Sequence, residues 1–407
     1  TAGSTMYMLY NTYGSSAPTA GTVHNVNNNQ FTNINNGVSA SSSIFGCYWG
    51  GYGYTNNVYN NTFNNISETL LAAGYGNIYV LYPYYYGNTY NIYNNTVSNI
   101  NLNSTANATT SATTSQVWGV YNYAYYISNM NIYGNTFRDI NMNLTTMGTS
   151  TTYHGVTAIN LYYTGNVSTA VTKIYNNRIF NLRTNESSAY AFASGIRASY
   201  TYYGGDIRIY NNMIGGLAAV NSSGASPANG MDLGVLSTSS GTAPVYDIAH
   251  NTIYMDTLTG GTGAGFSGIY ANMTYANILL RNNVIICKGT ANATGKNVCL
   301  RLNSATYTNF NSASNNNLYY AGTAAGTNYI FSDGTNNGQT LAAYKALANI
   351  SPRDQSAYTE DVAFQNTNRW ATYNASTWLH VNTTTPTFVE SAGIPLASIT
   401  SDIDGDT

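Results

Sequence analysis

Apolar positions in this chain are framed around a doublet of asparagines that returns through most of its length. Val58-Tyr-Asn-Asn61-Thr-Phe63, Ile92-Tyr-Asn-Asn95-Thr-Val97 and Ile174-Tyr-Asn-Asn177-Arg-Ile179 are three of nine copies. The second asparagine of each copy falls at Asn29, Asn61, Asn95, Asn135, Asn177, Asn212, Asn251, Asn283 and Asn316, at intervals of 32 to 42 residues. An apolar residue sits three positions before it, another two after it and, in six copies, a third five after it, as at Ile66, Ile100 and Leu182. These offsets do not describe one face of a helix, which needs apolar residues at three, four and seven. They describe two short strands meeting at a bend, with Asn on the corner. Asn suits such a corner because it tolerates the left-handed backbone region and hydrogen-bonds locally.

A second apolar run precedes each corner by roughly fifteen to seventeen residues, as in Ile44-Phe-Gly-Cys-Tyr48, Ile78-Tyr-Val-Leu-Tyr82 and Val117-Trp-Gly-Val-Tyr121. Met6-Tyr-Met-Leu-Tyr10 opens this series and Ile330-Phe331 closes it. A repeat of this period is the mark of a solenoid or propeller. A propeller blade needs four strands joined by tight hairpins, and Asn-Gly or Asp-Gly hairpin signals are sparse. The dense leucines and shorter period of leucine-rich repeats are missing as well. The pattern therefore predicts an all-β chain, a right-handed parallel β-helix of about ten coils over residues 1–335, with the corner asparagines stacked in a ladder. Ten coils at about 4.8 Å each make a rod on the order of 45 Å long.

Composition changes the picture of partners more than of fold. Of 407 residues only 7% are charged, the formal net charge is -2, and tyrosine alone numbers 40. Between Thr1 and Phe137 there is no Lys or Arg, and Glu68 is the only acid. Nucleic-acid binding through phosphate neutralisation needs clustered cations, so it is excluded. A polybasic membrane patch is excluded on the same ground, and no run of eighteen apolar residues offers a membrane span. Cys47, Cys287 and Cys299 are too few for a disulfide framework. Cys287 and Cys299 lie near the ends of neighbouring strands, where they either bridge or serve as small buried side chains.

After Asn336 the repeat gives way to a short amphipathic helix, Thr340 to Leu347, then Ser351-Pro-Arg-Asp-Gln-Ser356, Trp378-Leu-His-Val381 and Asp402-Ile-Asp404-Gly405-Asp406-Thr407. Together with the Asn-ladder coils, this order resembles right-handed parallel β-helix repeat proteins secreted by Bacteroidetes-type bacteria, a pectate-lyase-like type of solenoid. The resemblance implies that residues 336–407 form a C-terminal capping segment. The sequence stops ahead of the Arg and the Pro-Asp-Ile-Gly-Ala that follow in those proteins, so the cap reads as truncated. It also implies a secreted or cell-surface location, often reached by type IX export. Asp256-Thr257-Leu258 matches the short site at which such bacteria attach O-glycans, which makes Thr257 the candidate acceptor.

Candidate chemistry is sparse. Glycoside hydrolysis needs two carboxylates on one face, and a lyase needs acids beside a cationic base. Arg197, Asp206 and Asp232 are the one set of acids and bases expected near a common groove, with Arg208 and Asp247 close by. His24, His154, His250 and His380 fall in separate segments, without the close ligand spacing of a zinc site. His250 stands in the first-Asn place of its repeat and reads as a ladder substitute. Asp402, Asp404 and Asp406 resemble the opening of an acidic Ca²⁺ loop, but Gly405 is misplaced for an EF-hand and no Glu closes it. No cofactor is called for.

Tyrosine carries the stronger expectation. Tyr82, Tyr84 and Tyr86, then Tyr121, Tyr123 and Tyr125, then Tyr162 and Tyr202, follow the second strand in successive coils. Equivalent positions in a solenoid stack, so these residues form an aromatic stripe that either packs beneath loops or lies open. An open stripe marks an interaction face, one that binds carbohydrate, another cell surface or copies of the chain itself. The expected function is a non-catalytic extracellular bacterial surface or filament-forming protein. The competing expectation is a polysaccharide lyase or glycoside hydrolase on the same scaffold.

Overall fold

The computed structural model describes residues 4–12, 19–50, 53–104, 115–144, 154–163, 169–200, 205–233, 244–256, 264–274, 276–292, 294–369 and 373–406. Each coil runs through three strands. The first wall is an eight-stranded parallel sheet that begins with Thr19–Asn27 and Gly53–Tyr59 and ends with Asn277–Arg281. The chain then turns a corner into the second wall, exemplified by Thr96–Ser104, Thr136–Asn143 and Arg178–Thr184. A third wall follows, including Gln116–Tyr126, His154–Leu161 and Ala191–Ala198. Two long strands, Gln30–Gly50 and Thr62–Tyr86, pass unbroken from second wall to third.

Eight coils are complete in all three walls, fewer than the ten expected. Ten strands do line the third wall, because Ser4–Thr12 precedes the first full coil and Asn328–Ser332 follows the last. Among the described residues the ninth coil contributes only two isolated bridges to the first wall, Ile278–Phe310 and Arg281–Asn315.

The two asparagines of the doublet divide the work. The first takes the left-handed backbone, with φ between 53° at Asn211 and 64° at Gly134, where Gly replaces it. The second turns its amide inward and builds the ladder. Asn135 Nδ2 donates to Asn177 Oδ1 at 3.0 Å and to the Ile92 carbonyl at 2.9 Å, and its backbone N–H also donates to Asn177 Oδ1. Asn177 repeats the pattern onto Asn212 and Ile132, and Asn212 onto Asn251 and Ile174. Each buried amide is thus satisfied by the coils above and below it.

The ladder corrects one expected member. Its last rung is Asn317, which accepts from Asn283, while Asn316 takes the left-handed corner with φ 60°. The ninth copy carries three asparagines in a row, and the register Val284 to Leu318 moves the frame by one residue. His250 likewise stands at the left-handed corner (φ 54°), next to Asn282 at 3.1 Å.

Inside the coils the apolar columns stack in register. Val58, Ile92, Ile132, Ile174, Ile209 and Ile248 line the first wall, and Phe63, Val97, Phe137, Ile179, Ile214 and Ile253 the second. All three cysteines are buried free thiols, so the alternative of a Cys287–Cys299 bridge is not met.

The described residues after Asn336 do two different things. The helix Leu341–Lys345, capped by Thr340, places the buried Tyr344 ring 4.8 Å from Phe331 at the end of the core. Asp354 terminates the ladder: one carboxylate oxygen accepts from Asn317 Nδ2 and the other from the Tyr319 and Tyr344 hydroxyls. The chain then runs back along the outside of the second wall as a strap. Trp378, Leu379 and Val362 pack on Phe180, Met213, Tyr254 and Ile286. Asn211, Asn282 and Asn316, corner residues of the solenoid, donate to the strap carbonyls of Ser401, Ile394 and Ala392.

Candidate functional site

Outward positions of the third wall form columns along the rod axis, because parallel in-register strands superimpose equivalent residues. One column stacks Tyr7, Phe45, Tyr79 and Trp118, with ring centroids 4.9, 4.6 and 4.4 Å apart. Beside it Tyr10, Tyr48, Tyr82 and Tyr121 stack at 5.1, 5.0 and 5.4 Å. Tyr162, two residues beyond the register partner of Tyr121, leans back to stack on it at 5.6 Å, and Tyr200 stacks on Tyr162 at 5.4 Å. A third series pairs Tyr84 with Tyr123 at 5.5 Å and Tyr86 with Tyr126 at 5.0 Å.

Tyr82, Tyr84, Tyr86, Tyr121, Tyr123, Tyr125 and Tyr162 are half-buried, and Tyr126 is 41% exposed. Tyr202 and Thr257 lie outside the described residues. The stacked rings spend their faces on one another, so the surface they present is one of ring edges and hydroxyls. Burial, then neighbouring phenols, push the Tyr82 and Tyr121 hydroxyls well above the ordinary tyrosine range, and burial pushes Tyr79 up to about 12. Tyr79, Tyr82 and Tyr121 therefore stay neutral and supply no phenolate. Tyr85, at its centre, has φ 52°, a backbone that bulky residues rarely adopt.

A second tyrosine ladder lies outside the stripe that the sequence predicts. Tyr59, Tyr93, Tyr133, Tyr175 and Tyr210 stack on the first wall at 4.8 to 4.9 Å with rings within 5° of parallel. Asn25, Asn57, Asn91 and Asn131 run alongside, each amide bonded to the previous carbonyl at 2.8 Å. The signal was present, since each of those tyrosines stands two residues before a ladder asparagine.

Farther along, the column that begins with Tyr10 changes character. Register carries it from Tyr121 to Asn160, Arg197, Asp232, Tyr270 and Arg301. Arg197 Nε meets Asp232 Oδ2 at 3.1 Å, with the guanidinium 4.0 Å above the Phe192 ring. These groups line a cavity of about 430 Å³ together with Asn229, Tyr270, Arg301 and Asn303.

The expected trio is not assembled. Asp206 stands on the first wall, where it accepts from Arg208 Nε at 2.9 Å, while Arg197 and Asp232 stand on the third. Closeness in sequence groups them, but Asp206 falls on the next first-wall strand, Asp206–Tyr210, and not on the wall of Arg197. Asp247 is likewise held by Arg281 on the first wall. Asp402, Asp404 and Asp406 do not converge as ligands. Asp402 Oδ1 accepts the backbone N–H groups of Asp404 and Asp406, and the Asp404 carboxylate meets Arg178 at 2.9 Å and also His380. Among the described residues no group of three His, Cys, Asp or Glu is arranged to hold a metal ion. None of the described helices is long and apolar enough to cross a membrane. No protein-family model, no curated protein and no solved structure matches this chain.

Proposed function

We propose that this chain is a non-catalytic, exported bacterial surface or filament protein that adheres through the aromatic third wall of its β-helix. The carrying observation is the set of stacked phenol columns, half-exposed through successive coils and free of charged side chains. Such a face suits neutral glycans: ordered hydroxyls hydrogen-bond to sugar hydroxyls, and ring edges give flat apolar contact. The left-handed Tyr85 within the stripe supports the reading, because strained backbone is retained where its position is used. A Bacteroidetes-type origin and type IX export belong to this proposal.

The test is co-sedimentation with insoluble neutral polysaccharides, with electron microscopy of the purified protein alone. Binding by the native chain that weakens about tenfold in Tyr123→Ala combined with Tyr126→Ala, a loss of about 1.4 kcal/mol, is the expected result. Undiminished binding in that variant removes the stripe from the function. Monomeric protein that sediments with no glycan and builds no filament removes the adhesive reading altogether.

A polysaccharide lyase or hydrolase is the second reading, favoured by the shared cavity of Arg197 and Asp232. Among the described residues Asp232 is the one carboxylate lining that cavity, whereas glycoside hydrolysis takes two. Reducing or unsaturated products that vanish in Asp232→Asn are what this alternative requires.

A further inference from the structure

Arg301 is a cation of the third wall held by neutral acceptors alone. Its Nε donates to Ser267 Oγ and one terminal nitrogen donates to the Lys296 carbonyl, both at 2.8 Å. Both acceptors are neutral. The described residues include all fifteen acidic side chains, and none of these forms an ion pair with Arg301. Arg301 is half-buried, and a guanidinium partly withdrawn from water is ordinarily paired with a carboxylate. The chain holds only 13 Lys and Arg in total.

The setting is a cavity rather than a packed core. Arg301 lines the 430 Å³ space with Arg197, Asp232, Tyr270 and Asn303. Asp232 answers Arg197 at 3.1 Å, so the ionic lining of the cavity retains one positive charge. A volume of that size falls within the range of small-molecule sites. The column that leads to it is the same one that carries Tyr48, Tyr82 and Tyr121, so a chain-like ligand lying along the third wall would reach Arg301 after crossing the stripe.

We infer that the Arg301 cavity is a subsite for an anionic substituent, a carboxylate or sulfate ester, on a saccharide held along the third wall. Arg301 supplies the charge, in the planar fork that matches a carboxylate or sulfate. Tyr270 and Asn303 supply neighbouring hydrogen-bonding groups. Burial lowers the guanidinium to about 10, which leaves it fully charged at neutral pH. The inference rests on reading the third wall as a ligand face, but it makes a separate demand.

Glucuronate, glucose 6-sulfate and glucose, each titrated into the native protein and followed by calorimetry and thermal unfolding, test it directly. Glucuronate or the sulfate ester should bind at least tenfold more tightly than glucose, and the two arms tell which anion is preferred. Arg301→Gln should abolish that preference while leaving sedimentation with neutral polysaccharide unchanged. Equal responses to all three sugars overturn the proposal on native protein alone, whether or not the variant folds. An anion preference that survives in Arg301→Gln overturns it too. Loss of neutral-glycan binding in the Tyr123 and Tyr126 variant, by contrast, bears only on the stripe.

Discussion

At the scale of single residues, two adjacent asparagines with the same side chain should respond differently to substitution. Asn177 is fully buried and its amide joins two neighbouring coils, so Asn177→Ala strands the donors of Asn135 and empties the acceptor at Ile132. A loss of about 2–4 kcal/mol is expected from denaturant unfolding. Asn176 holds φ 55°, so Asn176→Ala should cost about 1–2 kcal/mol, and Asn176→Gly should cost little. Equal losses in the two alanine variants would contradict the division of labour. Glu68 offers a second test. It points into the core in line with Leu102, and burial raises its carboxyl to about 7, against a smaller opposing effect of Asn36. Because the folded value exceeds the unfolded one, the protonated form favours folding. Its contribution is complete below about pH 4.5 and is lost as pH rises through about 7. Roughly 3 kcal/mol is at stake, and Glu68→Gln should remove that dependence from stability measured between pH 5 and 8. Residue identity was legible here where local rules apply, as with Asn in the left-handed region. It failed at Asn316, where three consecutive asparagines give no local means of choosing the frame.

At the scale of elements, each early coil bends at the corner into the second wall and again within that wall, and the apolar spacing predicts only the first bend. Four positions beyond each early ladder residue the backbone is again left-handed, at Asn33, Asn65, Asn99, Asp139, Asn181 and Gly216, with φ from 54° to 66°. The run of Asn and Asp at that offset carried the signal. The strap was less legible, because its contacts span long stretches of chain. Arg178 meets Asp404, and Arg369 meets both Asn181 and Asp256. Its footprint is nonetheless written in the outward residues of the second wall. These are Thr62, Asn64, Thr96 and Thr136 in the early coils, and Phe180, Met213, Tyr254, Val284 and Ile286 where the strap lies. Gly216 marks the crossing. A Cβ there would sit 2.2 Å from Arg369 Nε, and its φ of 66° adds backbone cost. Gly216→Ala should therefore raise hydrogen exchange and proteolysis in residues 359–406 while circular dichroism of the coils is unchanged. Protection of the strap equal to that of the native chain would show that its docking does not depend on this close approach.

At the scale of the whole molecule, the rod separates its chemistry along its length, and the solenoid makes that separation readable. Each coil touches mainly its neighbours, so side chains at one repeat position become one column, and composition along the sequence becomes composition along a face. The early coils carry tyrosine and asparagine ladders with Glu68 as their one acid, buried, while the cations begin at Arg138. The columns were legible from periodicity. Which wall a loop delivers its next strand to was not, which is why Asp206 was grouped with Arg197. The separation sets a salt response for the proposed adhesion. Exposed charges are screened beyond about 3 Å at 1 M salt, whereas dispersion contacts and neutral hydrogen bonds are not. Neutral-polysaccharide binding should accordingly hold within about twofold from low salt to 1 M, since a larger change would amount to more than about 0.4 kcal/mol of ionic free energy. Any preference for an anionic sugar at Arg301 should weaken over the same range, because its added attraction is ionic. Sedimentation assays at several salt concentrations, run in parallel with both ligand types, measure both. A steep salt dependence for the neutral polymer would move the adhesive surface away from the aromatic columns and toward the charged coils beyond Arg138.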